Sequence, residues 1–588
     1  MKSFLKYTLA TILGVFISAF LFTLISFGIL GMLISSTEKT VEVSSHTVLH
    51  FKLNAQVPER TPTFPFSSNG LFSFDFTPIP GLNDILHNIK KAAADDHIDG
   101  IYIETGLGYP GIATIEEIRN ALLAFRKSGK FVITYCPDIL LQPTYYLATA
   151  SDSIFLNPAG MMQFTGLRAE IMYYKEALDK LGVEVQVVKH GKFKSAVEPY
   201  IRKNMSSENR EQLGRYLGTV WNHILDTISA DRGVTVEELN RLADNLSINS
   251  AEAAVDQSLI DGLKYKDEIL TLLQNLTGRA GKDVRMVAMS KYSSVPDPAR
   301  HGFPKEKIAV IYGEGAITTG MGSEMNIGAD RFAGAIRKAR KDSTIKAIVL
   351  RINSPGGSAL ASDIIWREVM LAQQVKPVVA SMGNYAASGG YYILAAADKV
   401  VAQPVTLTGS IGVFGLIPNA GKLLNQKLGI TFDVEKTNRY ADFGSIYRPL
   451  SPGERDYLTL QIENTYSTFV THVSEGRNLR KTFVDSIGQG RIWSGVSGKE
   501  LGLVDQLGGI DDALALAADL AGIETYRIVE LPKLEDPYQK ILKQLSGDIH
   551  SGIFTAGMKE LGWNADILLD LKKKDPLQMR LPYGISIH

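Results

Sequence analysis

The residues of this sequence that could do covalent chemistry are a serine and a lysine that lie far apart in the chain. Ser388 lies in the segment GNYAASGGYYI (383–393), where glycines follow an apolar run. A serine hydroxyl is a weak nucleophile until a base removes its proton. Lys194, in KHGKFKSAVEPYIR (189–202), could be that base if its surroundings lower its pKa enough to keep it neutral. The pair indicates nucleophilic catalysis with a lysine base.

Glycine turns near Ser388 could supply the groups that stabilise an oxyanion. At Ser388 an apolar strand is predicted to pass through a turn of small residues into a helix, which puts the backbone amide of Gly389 near developing negative charge. The segment NSPGGSAL (353–360) ends a neighbouring predicted strand, and its Gly356–Gly357 turn could supply a second amide. Two such amides would form an oxyanion hole.

The elements that must position these residues come from an internal duplication. The segments 131–152 and 377–398 align without a gap at an offset of 246 residues, which brings Tyr145 onto Tyr391. Similar strand-like segments flank both copies in the same order. Self-similarity of this kind is the signature of two units with one architecture.

The two copies differ at the residues that could do chemistry. Gln142 stands in the first copy where Ser388 stands in the second, and Ala441 stands in the second copy where Lys194 stands in the first. One copy therefore offers the serine and the other offers the lysine. Neither copy has both.

Each copy alternates short apolar strands with helical segments. In the second copy the predicted strands include KIAVIYG (307–313), AIVLRI (347–352) and PVVASM (377–382). This alternation indicates parallel βαβ units with helices on both faces of a sheet. We expect two tandem α/β repeats, over 46–300 and 301–540, followed by a helical C-terminal extension over 541–588.

The N-terminus carries a predicted membrane anchor. The 31 residues from Tyr7 to Thr37 are uncharged and follow Lys2 and Lys6. About 20 apolar residues span a bilayer, whereas a cleaved signal peptide has a shorter apolar region and a small-residue cleavage site. We therefore expect residues 1–37 to form a cytoplasmic N-terminus and one retained transmembrane helix, with a cleaved signal as the alternative. The two lysines favour a body on the periplasmic side of the inner membrane.

Composition excludes several other classes of function. The 588-residue chain has 62 basic and 62 acidic residues, so it lacks the excess positive charge with which proteins grip nucleic acid. Its one cysteine, Cys136, cannot form an intrachain disulfide or a cysteine-based metal site. The sequence contains no HExxH motif, and we expect neither a metal nor a cofactor.

Each element of the predicted site also has a plainer interpretation. Glycine-rich turns such as AASGG and SPGG often serve close packing alone. Lys194 lies among Lys189, His190 and Lys192, and clusters of this kind usually form a solvated face. The loss of each element from the opposite copy favours chemistry, but spacing alone leaves both interpretations open.

The sequence resembles a known family at four segments: NSPGGSAL, GNYAASGGYY, TLTGSIGVFG (406–415) and GKFKSAVEPYIR (191–202). It is similar to the long, duplicated form of the signal peptide peptidase A family, peptidase family S49, over nearly its whole length. In the single-copy members of that family the lysine follows the serine by about fifty residues, and here Gln142 precedes Lys194 by 52. The resemblance therefore extends to the register.

The resemblance implies a fold, a set of residue roles and a setting. The fold would be like that of Clp protease and crotonase, with Ser388 as nucleophile, Lys194 as general base, and Gly357 and Gly389 as the oxyanion amides. The activity would be that of a membrane-bound serine endopeptidase that degrades signal peptide remnants. The partners would be peptide substrates, membrane lipid around the N-terminal helix, and three further copies in a homotetramer.

Three alternatives accompany this reading. Ser410 also lies in a glycine-flanked turn, but its counterpart region near Gly166 precedes Lys194 by only 28 residues, which departs from the family register. A crotonase-type acyl-CoA enzyme would share the oxyanion amides without needing a serine–lysine pair. A non-catalytic membrane scaffold would be expected to lose the serine or the lysine, and both are present.

Overall fold

The architecture is known for most of the two repeats. The computed structural model describes residues 42–62, 80–108, 110–298, 304–534 and 577–580, together with 302, 586–587 and parts of 6–21. Within these ranges no helix combines the length and the apolar character needed to cross a bilayer. The predicted anchor continues through residues 22–37, which lie outside the described residues.

The first repeat is built around a parallel six-stranded sheet. Each neighbouring pair of strands is parallel, and all six strands fall within 46–300. In spatial order the strands are Arg285–Ala288, Thr47–Leu53, Ile98–Thr105, Phe131–Cys136, Ser153–Leu156 and Gly262–Leu263. The α-helices of this repeat are Leu82–Ala94, Ile112–Arg126, Gln142–Ala148, Lys175–Leu181, Glu198–Ile201, Ser207–Arg232, Val236–Asp244, Ala251–Asp256, Lys266–Leu276 and Met289–Tyr292, with a 3₁₀ turn at Ser195–Val197.

The second repeat has an eight-stranded sheet of the same kind. The strands are Ile492–Ser494, Leu407–Gly409, Val378–Ala387, Ile345–Ser354, Lys307–Glu314 and Arg527–Leu531 in spatial order, with Lys399–Ala402 and Gln506–Leu507 as a branch. All its strand pairs are parallel except that of Ile492–Ser494 with Leu407–Gly409. The helices are Ala329–Lys341, Ala359–Gln373, Gly389–Leu394, Pro452–Arg477, Lys481–Ile487, Gly495–Glu500 and Ile510–Ala521, with a π-helix at Leu423–Lys427. The predicted α/β class with parallel sheets is confirmed for both repeats.

Helix patterning explains how each sheet is covered. In the helix Ala329–Lys341, Phe332, Ile336 and Ala339 recur at helical spacing and are buried against the sheet. The basic residues of the last turn favour the helix terminus, where the backbone carbonyls carry partial negative charge. An apolar stripe opposite a charged face is what a helix on a sheet surface requires.

The duplication predicted from the sequence is visible in matching hydrogen bonds. The buried Tyr145 hydroxyl donates to the Leu259 carbonyl oxygen at 2.9 Å, and the buried Tyr391 hydroxyl donates to the Leu503 carbonyl oxygen, also at 2.9 Å. In each repeat this bond ties the helix at the repeated YY pair to a turn far along the chain. Equivalent residues therefore have equivalent structural roles in the two copies.

A third sheet joins the two repeats. Its strand order is Asn326–Gly328, Ala316–Thr318, Gly356–Ser358, Leu577–Arg580, Phe414–Asn419 and Glu184–Lys189. The last strand comes from the first repeat and pairs antiparallel with Phe414–Asn419 of the second. Two short strand pairs complete the described strands: Ile139–Leu140 with Met161–Met162, and Ala169–Glu170 with Ser586–Ile587.

The C-terminal part of the chain corrects one expectation. The sequence predicts a helical extension that ends in an irregular tail, but Leu577–Arg580 forms a strand of the joint sheet. The physical reason is that this segment pairs on both edges, which satisfies backbone groups that a surface helix would satisfy internally. The remainder of the predicted extension, up to residue 576, lies outside the described residues.

A buried ion cluster also connects the repeats. Arg351, on a central strand of the second repeat, has no exposed surface and donates to two carboxylates of the first. Its Nε lies 2.7 Å from Glu59 Oε2, and its Nη2 lies 2.6 Å from Glu117 Oε1. Burial raises the pKa of Glu117 to about 7 against the opposing attraction of Arg351. The guanidinium therefore offsets the cost of burying two acidic groups between the repeats.

Arg351→Ala is expected to lower the free energy of unfolding by about 3–5 kcal/mol, because it leaves two buried carboxylates without their partner. The measurement is urea denaturation at pH 7.5 followed by circular dichroism. The matched control is Arg337→Ala, which removes the same charge from a half-exposed side chain and leaves its partner Glu368 paired with Arg340, so it should cost less than about 1 kcal/mol. Equal losses in the two variants would contradict a special role for the buried cluster.

Candidate active site

The backbone at Ser388 aims the hydroxyl into the space between the repeats. The residue connects the strand Val378–Ala387 to the helix Gly389–Leu394. Its φ of 55° and ψ of −118° are unusual for a residue with a side chain, and such geometry costs about 1–3 kcal/mol. The amide of Ser388 donates to the Gly409 carbonyl oxygen at 2.8 Å, which ties this turn to the neighbouring strand. A strained turn held from both sides is a common way to project a nucleophile.

Lys194 reaches the same place from the first repeat. The strand Glu184–Lys189 pairs with the second repeat so that Lys189 lies opposite Phe414, and Lys194 follows five residues later. The stem of Lys194 then passes between two glycines. A Cβ on Gly490 would lie 2.6 Å from the Lys194 Cα, and a Cβ on Gly412 would lie 3.3 Å from its Cδ. A side chain at position 490 would collide with the backbone of Lys194, so this position requires glycine.

The structure brings the predicted serine and lysine into direct contact. Lys194 Nζ lies 2.7 Å from Ser388 Oγ, within the distance at which a base can take a proton. The same nitrogen lies 3.0 Å from Ser410 Oγ and 3.2 Å from the Ser410 carbonyl oxygen. The exposed fraction is 0% for Ser388 and 1% for Lys194, so the contact is shielded from water.

Burial changes the pKa of Lys194. Desolvation lowers this pKa well below its ordinary value, and no acidic group among the described residues offsets the shift. Burial between the repeats is the cause of this shift.

The partners of Lys194 suit a neutral amine. Such an amine has two hydrogens and one lone pair. The two hydrogens can be donated to the Ser410 hydroxyl and carbonyl oxygens, which leaves the lone pair to accept the proton of the Ser388 hydroxyl. Ser410 Oγ in turn lies 3.3 Å from the Gly490 carbonyl oxygen, to which it can donate. Every polar group around the amine then has a partner.

Ser410 is the residue whose role the sequence reasoning missed. Register identified it as the less favoured nucleophile, and the structure places it beside the lysine rather than apart from it. Its φ of 51° turns both its oxygens toward Nζ. The glycine-flanked turn was the available signal in the sequence. A turn of this type does not indicate which side chain it will contact in the folded protein.

The two predicted oxyanion glycines lie next to each other beside Ser388. A Cβ on Gly389 would lie 3.2 Å from the Gly357 amide nitrogen. The preceding Gly356 has a φ of 98°, which only glycine adopts readily. Two glycine amides therefore lie close to Ser388, and an oxyanion hole would need two such donors there.

The loop that carries Lys194 is held by Gln212, which sequence patterning did not single out. Its Nε2 donates to the Phe193 carbonyl oxygen at 3.1 Å and to Ser195 Oγ at 3.0 Å, one residue to each side of the lysine. Its Oε1 accepts from the Ile492 amide of the second repeat at 3.1 Å. One buried amide therefore ties the lysine loop to both repeats.

The matching position in the first repeat has been filled in a different way. Gln142 Oε1 accepts from the Thr165 amide at 3.0 Å and the Gly166 amide at 2.9 Å, and its Nε2 donates to the Gly166 carbonyl oxygen at 3.2 Å. These partners belong to the turn that corresponds to the Ser410 turn of the second repeat. In the first repeat the Gln142 side chain thus bonds to the turn that is equivalent to the Ser410 turn, which Lys194 contacts in the second repeat.

Comparison with known proteins agrees with the internal duplication. The family model described as peptidase family S49 matches twice, at residues 124–279 and 370–524, and a Clp protease model matches residues 310–407. The two S49 matches have the spacing of the internal duplication. The chain belongs to peptidase family S49, a family of serine proteases, and contains two copies of its unit.

Three relatives match over most of the chain. Protease 4 of Salmonella typhi is 39% identical over 76% of this chain and 73% of its own length. Protease 4 of Haemophilus influenzae is 35% identical over 82% of this chain and 80% of its own length. The chloroplastic serine protease SPPA of Arabidopsis thaliana is 34% identical over 79% of this chain and 69% of its own length.

The buried lysine makes stability depend on pH in a way that can be measured. The pKa of Lys194 is lowered on folding, so the unfolded chain binds one more proton than the folded chain between the folded pKa and about 10.4. In that window, stability rises with pH by up to about 1.4 kcal/mol per unit. Lys194→Met has no titrating group at this position. The free energy of unfolding of the variant minus that of the native chain should therefore fall as pH rises. A difference that stays constant from pH 7 to 9.5 in urea denaturation would contradict a neutral lysine.

Proposed function

We propose that this chain is a serine endopeptidase in which Ser388 is the nucleophile and Lys194 is the general base. The observation that carries the proposal is the 2.7 Å contact between Lys194 Nζ and Ser388 Oγ in a site shielded from water. Membership of a peptidase family supplies the class of reaction. The contact between residues of two repeats would make the complete chain the catalytic unit.

The acylation half of the reaction follows from the positions of the atoms. Ser388 Oγ attacks the carbonyl carbon of the substrate peptide bond as its proton passes to Lys194 Nζ. The carbonyl oxygen becomes an oxyanion, which accepts hydrogen bonds from the amides of Gly357 and Gly389. Lys194, now protonated, donates that proton to the leaving amine, and an acyl ester remains on Ser388.

The deacylation half uses the same groups in reverse. A water molecule takes the place of the departed amine, and neutral Lys194 removes its proton as it attacks the ester. The ester carbonyl oxygen again accepts from the two glycine amides. Collapse of the intermediate returns the proton to Ser388 Oγ and releases the new carboxyl end. In this scheme Ser410 is a positioning residue, because it contacts Nζ and not the reacting carbon.

The substrates that we propose are signal peptide remnants in the membrane. Such peptides are apolar, extended once released from a helix, and accessible only to an enzyme that works close to the bilayer. The uncharged run from Tyr7 to Thr37 supports an anchored enzyme of this kind. Lys2 and Lys6 before that run support a body on the periplasmic side of the inner membrane. A homotetramer, which the family resemblance implies, remains a prediction.

The two competing functions make different demands on the site. A crotonase-type acyl-CoA enzyme would use the glycine amides but would have no need for a buried lysine against a serine hydroxyl. A non-catalytic scaffold would have no reason to retain the strained conformation at Ser388, since strain persists only where the surroundings hold it. Family S49 membership and this geometry together favour the peptidase.

Ser388→Ala and Lys194→Ala should each abolish hydrolysis of a fluorogenic apolar peptide, because removing one member of a nucleophile–base unit removes most of what the unit supplies. Ser410→Ala should retain measurable activity, since Lys194 keeps its contacts with Ser388 and with the Ser410 carbonyl oxygen. The measurements are kcat and KM for variants with native circular dichroism. An inactive Ser410→Ala beside an active Ser388→Ala would reverse the assignment of the nucleophile.

The proposed anchor can be tested by changing its charge. Leu21→Arg combined with Leu24→Arg should move the protein from the carbonate-washed membrane fraction to the supernatant, because each arginine costs about 2.5–3.5 kcal/mol near the centre of a spanning helix. Leu21→Ala combined with Leu24→Ala changes the same positions without charge and should remain in the membrane. Retention of the arginine variant would rule out a spanning helix in this run.

A further inference from the structure

Two short segments carry the amides that we propose for the oxyanion, and each segment leads into a helix. Gly357 lies in the strand Gly356–Ser358, and the helix Ala359–Gln373 begins directly after that strand. Gly389 is the first residue of the helix Gly389–Leu394, which has only 6 residues. A helix of this length is not stable by itself, so contacts with its neighbours must fix its position. Those contacts therefore also determine where the Gly389 amide lies.

A hydrogen bond between side chains joins these two helices. Tyr392 Oη donates to Asp363 Oδ1 at 2.6 Å. Tyr392 follows Gly389 in the short helix, and Asp363 lies in the first half of the helix that follows Gly357. Burial raises the pKa of Tyr392, so its hydroxyl keeps the proton that it donates. The bond thus connects the two segments that carry the proposed oxyanion amides.

The residue next to Asp363 packs directly against Gly389. A Cβ on Gly389 would lie 2.7 Å from Ser362 Oγ and 3.2 Å from the Gly357 amide nitrogen. Ser362 has no exposed surface. The close packing opposes movement of the short helix toward its neighbour, and the hydrogen bond of Tyr392 opposes movement away from it. Together the two contacts set the spacing of the helices.

The ring of Tyr392 is held by neighbouring aromatic side chains and not by its hydroxyl alone. The centre of the ring lies 4.8 Å from that of Phe469, 5.2 Å from that of His472 and 6.5 Å from that of Trp366. His472 Nδ1 lies 4.0 Å from Asp363 Oδ1, which is too long for a hydrogen bond. Tyr392→Phe therefore removes one hydrogen bond and keeps the packing of the ring.

The internal duplication repeats this hydrogen bond in the first repeat. The helices Ile112–Arg126 and Ala359–Gln373 both have 15 residues, and each carries its acidic residue at the same place, Glu116 in the first and Asp363 in the second. Tyr146 Oη donates to Glu116 Oε2 at 2.5 Å. A tyrosine–carboxylate bond thus joins equivalent helices in both copies.

The two bonds differ in what lies at the start of the short helix. Tyr392 follows Ser388 in the second repeat as Tyr146 follows Gln142 in the first. Both bonds stabilise the fold of their own repeat, but only the bond in the second repeat is close to the proposed nucleophile. The chain therefore contains a matched internal control for any role of Tyr392 beyond folding.

We infer that Tyr392 and Asp363 are positioning residues for the oxyanion, because their hydrogen bond sets the distance between the Gly357 and Gly389 amides. The inference rests on the proposed function. Both residues act through the helices that carry them. A shift of the amides would weaken binding of the transition state more than binding of the uncleaved peptide. Loss of the bond should therefore lower kcat and leave KM nearly unchanged.

The first test compares the two tyrosines in the full chain with a fluorogenic apolar peptide. Tyr392→Phe should lower kcat by at least about tenfold and change KM by less than about twofold, since small displacements of catalytic groups are costly. Tyr146→Phe should leave kcat within about twofold of the native value, because its helix carries neither Ser388 nor Gly389. Equal losses of kcat in the two variants would identify a role in folding alone and overturn the inference, as would an unchanged kcat in Tyr392→Phe.

Two variants of the carboxylate test the same bond from its other end. Asp363→Ala removes the acceptor and should lower kcat as Tyr392→Phe does. Asp363→Asn keeps an acceptor oxygen in the same place and should recover most of the activity that Asp363→Ala loses. Equal activities in the alanine and asparagine variants would contradict a role for the hydrogen bond.

A transition-state analogue separates the position of the amides from general loosening of the site. In a peptide aldehyde, Ser388 Oγ bonds to the carbonyl carbon, the serine proton passes to Lys194, and the former carbonyl oxygen takes the place of the oxyanion. Tyr392→Phe should raise the inhibition constant of the aldehyde by at least about tenfold. The corresponding peptide alcohol forms no such adduct, so its inhibition constant should stay the same. Equal changes for the two inhibitors would contradict the inference.

Hydrogen exchange measured by mass spectrometry tests the geometry without activity. Tyr392→Phe should speed amide exchange in residues 353–360 and 387–394, whereas Tyr146→Phe should speed exchange in the first repeat only. Unchanged exchange in Tyr392→Phe would overturn the inference. If the native chain hydrolyses no peptide and binds no aldehyde, the proposed function is wrong, and the exchange result still decides whether the bond holds the two segments together.

Discussion

The pairing of one strand across the two repeats is the constraint on which the rest of the site depends. Glu184–Lys189 leaves the first repeat and joins a sheet of the second, with Lys189 opposite Phe414. Strand pairing fixes the register at Lys189, and therefore the point from which the following loop starts. That loop places Lys194 between Gly412 and Gly490. A change in this pairing would shift the start of the loop that carries Lys194 relative to Ser388.

That pairing also determines the electrostatics of the site. It encloses Lys194 where burial lowers the pKa of the amine and no acidic group in the described part of the chain opposes that shift. Elsewhere on the same interface Arg351 meets two carboxylates and keeps its charge. The interface between the repeats therefore buries two basic residues in different surroundings: Arg351 has acidic partners and Lys194 does not contact one. Of the two, Lys194 is the one whose pKa burial lowers, which is the property that a lysine base requires.

The sequence predicted the parts of this structure that leave a repeated or local pattern. Comparison of the copies singled out Ser388 and Lys194 because Gln142 and Ala441 replace them, and the family resemblance then favoured catalysis and assigned Gly357 and Gly389 to the oxyanion. These inferences needed no knowledge of long-range contacts.

What the sequence could not predict depends on residues that meet only after folding. The contact of Ser410 with Lys194, the support of the lysine loop by Gln212, and the strand at Leu577–Arg580 each join segments that are distant in sequence. No pattern in the sequence indicates which residue each of these contacts.

The divided site also has a consequence for synthesis. Domains generally fold in the order in which they leave the ribosome, and the first repeat carries a lysine but no nucleophile. If Ser388 and Lys194 are the catalytic pair that we propose, a half-made chain holds only one of them, and peptide hydrolysis can begin only after the second repeat has been translated and folded.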